Sequence, residues 1–315
     1  MQLSKYLFIA IAGSALAFEV TTASAAPVIK QVELGSTTSY TQTSDSNVSL
    51  DSPGDFSNGG PGGPVEFDVK VKGTNIGAIV PPTVSGPFSA TVTGTSWFDN
   101  GTLHHESPSS NSWRLGNPHP NWYEATLSAL NSNFGDGVYT LNVNGSNFGL
   151  NYSGTIIPDT VPLLAVTGGS WSNGNYVIAA NQTLTITTNA YTGYGSHLDD
   201  GVGTFVDGPS PSFTGVADSG QLHSTTPGQN FSSLTIAANT LVAGQRYLGG
   251  AQFLALTDNK LVSSLPNSFN FAANRNETDF KIVVVSAVPV PPATMLLGSG
   301  LLGLVGMRRH KSRQS

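Results

Sequence analysis

Cysteine is absent from all 315 residues. This excludes disulfides, thiol catalysis, cysteine-ligated zinc and a lipid-modified N-terminal cysteine together, and it leaves packing alone to hold the fold. A chain without thiols needs no disulfide machinery and is compatible with an oxidising compartment. Charge is scarce as well, at 10% of residues. Five of the 13 basic residues lie near the ends (Lys5, Arg308, Arg309, Lys311 and Arg313), so residues 26 to 288 hold 8 Lys/Arg against 18 Asp/Glu, a net charge of −10. An acidic body lacks the basic footprint that nucleic-acid binding requires. No body segment shows a 3.6-residue apolar period over three turns, and there is no G-x-S-x-G elbow and no phosphate-binding glycine loop ahead of a helix. No catalytic constellation, cofactor or metal centre is expected.

Turn formers and small polar residues are abundant instead. With 36 Gly and 19 Pro beside many Ser, Thr and Asn, the composition disfavours helix and favours short strands joined by turns. The segment Val65-Glu66-Phe67-Asp68-Val69-Lys70-Val71-Lys72 alternates apolar and charged residues, which predicts a strand with one face on a core and the other in water. Similar alternation predicts strands over Phe88 to Thr93, Tyr139 to Val143, Thr183 to Thr187 and Phe280 to Val284. Tyr123 to Leu130 is the best helical candidate, although its alternation fits a strand equally well. The stretch from Asp45 to Pro64 is loop by composition.

A weak internal repeat suggests two modules. Ala125 to Ala129, a Gly/Asn loop and Tyr139 to Val143 match Ser233 to Ile236, a loop with Asn239 and Gly244, and Tyr247 to Leu256. A tyrosine opening a late core strand resembles the immunoglobulin-like sandwich. The expected fold is therefore all-β, with tandem immunoglobulin-like sandwiches over 26–157 and 158–286 divided near Ile157 to Pro162. One large jelly-roll-like sandwich is the alternative.

Three groups of residues carry candidate chemistry. His104, His105, Glu106 and His119 are of metal-ligating type, and the neighbouring Trp113, Trp122 and Tyr123 could stack on a sugar or peptide. Adjacent strand histidines point to opposite faces, so a polar surface loop with partly packed aromatics is the favoured reading. Asp199-Asp200-Gly201 and Asp207-Gly208 suggest calcium, but Asp-Gly pairs are ordinary turn makers. Asp218-Ser219-Gly220 has no second copy with which to share a proton, as aspartic-protease chemistry demands.

The ends are more explicit. Lys5, the apolar run Leu7 to Phe18 and the small residues Ala23 and Ala25 have the layout of a secretory signal peptide, cleaved after Ala25, so that 1–25 forms a leader. At the other end, 287–315 begins with Val288, Pro289, Val290, Pro291 and Pro292. It continues through 293–307, with Gly298, Gly300, Gly303 and Gly306 on an otherwise Leu-rich helix, and ends at Arg308 and Arg309. Fifteen uncharged residues span about 22 Å as a helix, short of a hydrocarbon core of about 30 Å. The basic end places the body across the membrane by the positive-inside rule.

This segment resembles the PEP-CTERM sorting signal of Gram-negative bacteria, with Val290 or Pro291 where the family's motif has a glutamate. The resemblance covers about 25 residues. It implies export by the secretion machinery, transient residence in the inner membrane with the body in the periplasm, and recognition by an exosortase. Delivery to the cell surface or exterior follows, with exopolysaccharide as the implied associate. On that basis the body is expected to be a non-enzymatic surface or matrix protein. A carbohydrate-binding module is the alternative, and an extracytoplasmic hydrolase is less favoured.

Overall fold

The structure, a computed structural model, describes residues 26–51, 63–105, 111–116, 122–198, 200–209, 215–218, 222–223, 229–265 and 268–287. Its first half runs β1 (Val28–Gln42), β2 (Val48–Leu50), β3 (Val65–Thr74), β4 (Thr83–Ser85), the single turn α1 (Ala90–Thr93), β5 (Leu103–His105), β6 (Ser112–Leu115), β7 (Trp122–Glu124), α2 (Leu127–Asn133), β8 (Gly137–Val143) and β9 (Ser146–Tyr152). The second half runs β10 (Leu164–Thr167), β11 (Ser170–Ser172), β12 (Asn175–Ala179), β13 (Leu184–Thr188), β14 (Asp200–Asp207), β15 (Gly215–Asp218), β16 (Leu222–His223), β17 (Ser233–Ile236), β18 (Arg246–Lys260) and β19 (Phe269–Val285). The chain is mostly β, as its composition predicts.

A 13-stranded sheet follows the order β15-β14-β18-β19-β1-β3-β6-β5, with β2, β7, β11, β12 and β16 attached to it. Its spine is β19. Along one side β19 pairs antiparallel with β18, and along the other it pairs in parallel with β1 over Phe269 to Asp279 and then with β12 over Lys281 to Val285. A strand near the start of the chain thus lies against one near its end, across the boundary expected at Ile157 to Pro162. Two smaller sheets, β4-β8-β9 and β10-β13-β17, complete the architecture.

Two large cores form, each drawn mainly from one half of the chain, with Leu265 and Ala272 of the second half entering the first. In the first, Val32, Leu34, Phe67, Val69, Val71, Trp113 and Leu115 of the large sheet meet Leu141, Val143, Leu150 and Tyr152 of β8 and β9. Phe67 stacks on Phe134 at 4.0 Å between centroids, with Tyr152 edge-on at 5.3 Å. In the second, Tyr176, Tyr247, Phe280 and Ile282 meet Leu164, Val166, Leu184, Ile186, Leu234 and Ile236. Period-2 alternation explains both: Val65, Phe67, Val69 and Val71 of β3, Leu184 and Ile186 of β13, and Phe280, Ile282 and Val284 of β19 are alternate residues, all apolar and buried.

Side-chain amides join these layers where apolar packing cannot. Asn274 donates to the carbonyls of Ser153 and Ile156 and accepts from the Ser36 hydroxyl. Asn276 donates to those of Pro158 and Thr160. The proline-containing connection between the halves is therefore held against β19 by two buried asparagines. Both tyrosines of the internal repeat bond a backbone group shortly upstream, in opposite senses: the Tyr139 hydroxyl donates to the Gly135 carbonyl, and the Tyr247 hydroxyl accepts from the Val242 N–H.

Four expectations are corrected. Phe88 to Thr93 is not a strand, because the Ser89 hydroxyl accepts from the Val92 N–H and starts α1 at Ala90. Ala125 to Ala129, matched in the internal repeat to the strand at Ser233 to Ile236, enters a helix instead, as the helical reading of Tyr123 to Leu130 allowed: Thr126 caps α2 by accepting from the Ala129 N–H. Alternation over five or six residues cannot outweigh such a cap. The composition-defined loop contains the short strand β2, paired with Tyr40 to Gln42. Finally, the charged face of β3 is not in water. Asp68 and Lys70 are both buried.

Candidate functional site

Of the histidines and aromatics picked out from sequence that the structure describes, His105 and Trp113 meet, whereas Trp122 and Tyr123 lie apart from them. On β5, His104 and His105 sit opposite Arg114 and Trp113 of β6. His104 Nε2 lies 3.0 Å from Asp99 Oδ2. The His105 ring meets Trp113 edge-on at 3.9 Å. Trp113 belongs to the first core and donates its indole N–H to the Ile76 carbonyl at 3.0 Å. Trp122 is half-buried, edge-on to Trp97 at 5.2 Å, and donates to Glu124 Oε1. The register puts Trp113 opposite Val71 and Trp122 opposite Phe67, four residues and about 13 Å apart along β3. Tyr123, opposite Glu66, faces away from the core. His119 and Glu106 lie outside the described residues, as do Ala23, Ala25 and the sorting residues Val288 to Pro292, Gly298, Gly300, Gly303, Arg308 and Arg309. Among the described residues, no group of three or more His, Asp or Glu is placed to hold a metal ion. No described helix is long and apolar enough to cross a membrane.

Asp200 has a constructive task. Its fully buried carboxylate accepts from the Gly195 N–H at 2.6 Å and the Tyr191 hydroxyl at 3.3 Å, and lies 2.7 Å from His197 Nδ1. It closes the loop from Tyr191 to His197 onto the start of β14. Burial and the neighbouring Asp200 carboxylate push the Tyr191 hydroxyl well above its ordinary value. Ser196 Oγ approaches the same Nδ1, at 3.4 Å. A nucleophile activated by an Asp–His pair must meet the other imidazole nitrogen, so this is not a hydrolytic triad. Asp199 and the Ser219-Gly220 part of Asp218-Ser219-Gly220 lie outside the described residues.

The densest chemistry lies elsewhere, on the face of the large sheet turned away from the two cores. Alternation places Glu33, Glu66, Asp68, Lys70, Lys72, Arg114, Arg275, Glu277 and Asp279 there. Its basic part is internally paired. Lys70 Nζ lies 2.9 Å from Asp68 Oδ2, Arg114 Nη1 is 3.4 Å from the same oxygen, and Arg275 pairs with Glu33. Burial alone would raise the Glu33 carboxyl, but Arg275, Lys70 and Lys72 outweigh it and hold it well below the usual range. Lys70 and Arg114 do the same for Asp68. Along β19 the balance reverses. Burial, opposed by Arg275 but reinforced by Glu66 and Asp207, pushes Glu277 up to about 7. Asp279 is raised well above its usual value by burial and by Glu277, Asp51, Asp207 and Glu66. The face thus grades from paired ions to carboxylates that resist ionisation.

The sequence contained one sign of this face, the alternation of Glu66, Asp68, Lys70 and Lys72. What it did not contain was the partner of each charge, since Arg275 reaches Glu33 only through the parallel pairing of β1 with β19. No protein-family model and no curated protein matches the chain.

Proposed function

We propose that the chain is an exported, non-enzymatic surface or matrix protein, released from the inner membrane by an exosortase acting on 287–315. The observation that carries this reading is the order of parts in the sequence: a leader with Ala23 and Ala25 at its end, a cysteine-free acidic β body, then a proline-led Gly/Leu segment closed by Arg308 and Arg309. Within that reading the body comprises two immunoglobulin-like sandwich halves, a view supported by two cores each drawn mainly from one half and by the bonds that the Tyr139 and Tyr247 hydroxyls make to backbone shortly upstream. Its role is structural. In support, the aromatics Trp113 and Trp122 are engaged in packing and in hydrogen bonds within the fold. Exopolysaccharide is the associate that such a destination provides.

Pulse-chase labelling of a chain tagged after Ser315, in a host with an exosortase, tests the proposal. The expected result is early loss of the tag and appearance of the body outside the cell. A tag that stays on the body throughout the chase overturns exosortase processing, and a body retained in the cytoplasm overturns export.

A further inference from the structure

The small sheet β10-β13-β17 closes the second core with one face and turns the other outward. Register orders that outward face. Thr167 lies opposite Thr185 and Thr185 opposite Thr235, while Ala165, Thr187 and Ser233 form the next row. Alternation leaves Ala165, Thr167, Ser233 and Thr235 exposed and the central Thr185 and Thr187 partly so. The hydroxyls meet across the strands, with Thr185 Oγ1 3.3 Å from Thr235 Oγ1 and Thr187 Oγ1 2.9 Å from Ser233 Oγ. A bond between two hydroxyls uses one O–H, so each pair keeps a second O–H and spare lone pairs for a ligand. The same alternation of exposed and buried residues runs back from Ser233 to Phe231, which is 42% exposed.

The face is also free of charge. Residues 160–198 and 219–245, which supply all three strands, contain no Asp, Glu, Lys or Arg, so the net charge of −10 lies wholly outside them. A charged partner gains no ion pair here, and the acidic body around the face repels polyanions. What fits is an uncharged polymer that donates and accepts hydrogen bonds along its length and turns C–H faces toward a phenyl ring, which is the chemistry of a neutral polysaccharide. The platform is held in place before any ligand arrives. Gln42 fastens β10 through both backbone groups of Leu164, and the Thr204 and Ser232 hydroxyls, 3.1 Å apart, tie the residue before β17 to β14. Threonine is stiff at its first side-chain torsion, so ordering these hydroxyls on a ligand costs little entropy.

We propose that the outward face of β10-β13-β17 binds a neutral polysaccharide, lying along the strands from the row of Thr167, Thr185 and Thr235 to Phe231, about 13 Å at about 3.3 Å per residue. This rests on the polysaccharide association proposed above and gives it a surface. The hydroxyl rows supply the hydrogen bonds, and Phe231 supplies the apolar contact at one end.

Affinity electrophoresis of the purified full chain in native gels containing amylose, laminarin or galactomannan tests the proposal, with anionic alginate for comparison. The expected result is retardation by at least one neutral polymer and none by alginate. Phe231→Ala and, separately, Thr187→Val combined with Ser233→Ala should each weaken retention about tenfold while leaving the urea midpoint unchanged. Retardation by none of the neutral polymers overturns the proposal. Equal retention of the parent and both variants also overturns it, by placing the binding elsewhere. So does self-association of the parent that Phe231→Ala abolishes without any polysaccharide binding, which would mean that a second copy covers the face. The pulse-chase labelling above separates the two readings: a body exported and released that binds no neutral polymer leaves export standing and removes this surface, whereas a body kept in the cytoplasm that binds through Phe231 overturns export alone.

Discussion

Gln42 is completely buried, and its carboxamide mimics a strand residue: Oε1 accepts from the Leu164 N–H at 2.9 Å and Nε2 donates to the Leu164 carbonyl at 2.8 Å. The last residue of β1 thereby ties the large sheet to the edge of the small sheet β10-β13-β17. Removing it strands two buried backbone groups, each costing about 1–3 kcal/mol. Gln42→Ala is expected to destabilise the protein by about 2–4 kcal/mol in urea unfolding, and a loss under about 1 kcal/mol would show that water or a shift of β10 replaces the amide. Trp113 is the residue at which packing and binding readings part most clearly. As a core side chain, Trp113→Ala should cost about 3–5 kcal/mol. A variant of unchanged stability would return Trp113 to the candidates for ligand contact.

At the scale of elements, β19 concentrates what makes this fold work. One of its faces carries the amides of Asn274 and Asn276 and the apolar Phe280 and Ile282, and the other carries Arg275, Glu277 and Asp279. This second face makes stability depend on pH in two directions. Glu277 is raised from 4.5 to about 7, so the folded state holds its proton more tightly than the unfolded chain does. That contribution is complete below 4.5 and is lost as pH rises through about 7. Glu33 and Asp68 are held low, so their contribution is present at neutral pH and disappears in acid. Measured as the urea midpoint against pH, Glu277→Gln should flatten the decline between pH 4.5 and 7 while leaving the acid limb in place. Identical profiles for the variant and the parent would mean that Glu277 ionises as freely in the fold as in the unfolded chain. Elsewhere, edges are managed by side chains: Asp258 accepts from the Asn151 N–H and the Thr257 hydroxyl donates to its carbonyl, which occupies the outer edge of β9.

For the whole molecule, the parallel pairing of β1 with β19 makes the fold depend on residues about 240 positions apart. Neither core is complete without β19, since Ala272 enters the first and Phe280, Ile282 and Val284 the second. A chain ending at Ser268 is therefore expected to lose cooperative unfolding in both halves, followed by tryptophan fluorescence and near-ultraviolet dichroism. If residues 26–157 kept a sharp transition alone, β1 would be able to pair without its parallel neighbour. Under the export proposed above, the sheet would be completed only after β19 had crossed the membrane.

The sequence by itself determined the predominance of strands, because alternation in β3, β8, β13 and β19 is a local property written every two residues. It also determined the proline-containing connection near Ile157 and the paired tyrosines. The helix α1 was read as a strand and α2 was left open between helix and strand, because a cap such as Ser89 or Thr126 acts through one hydrogen bond and leaves no periodic trace. Only the tertiary structure decided which strands are neighbours, and with that which charges are partners. Lys70 looks like a solvated lysine until β1 and β6 flank it with Glu33 and Arg114. Glu277 looks like any exposed glutamate until the fold buries it, with Arg275 beside it and Glu66 brought from a distant strand. Periodicity fixes the face of a residue, whereas its electrostatic environment is set by the pairing of strands far apart in the chain.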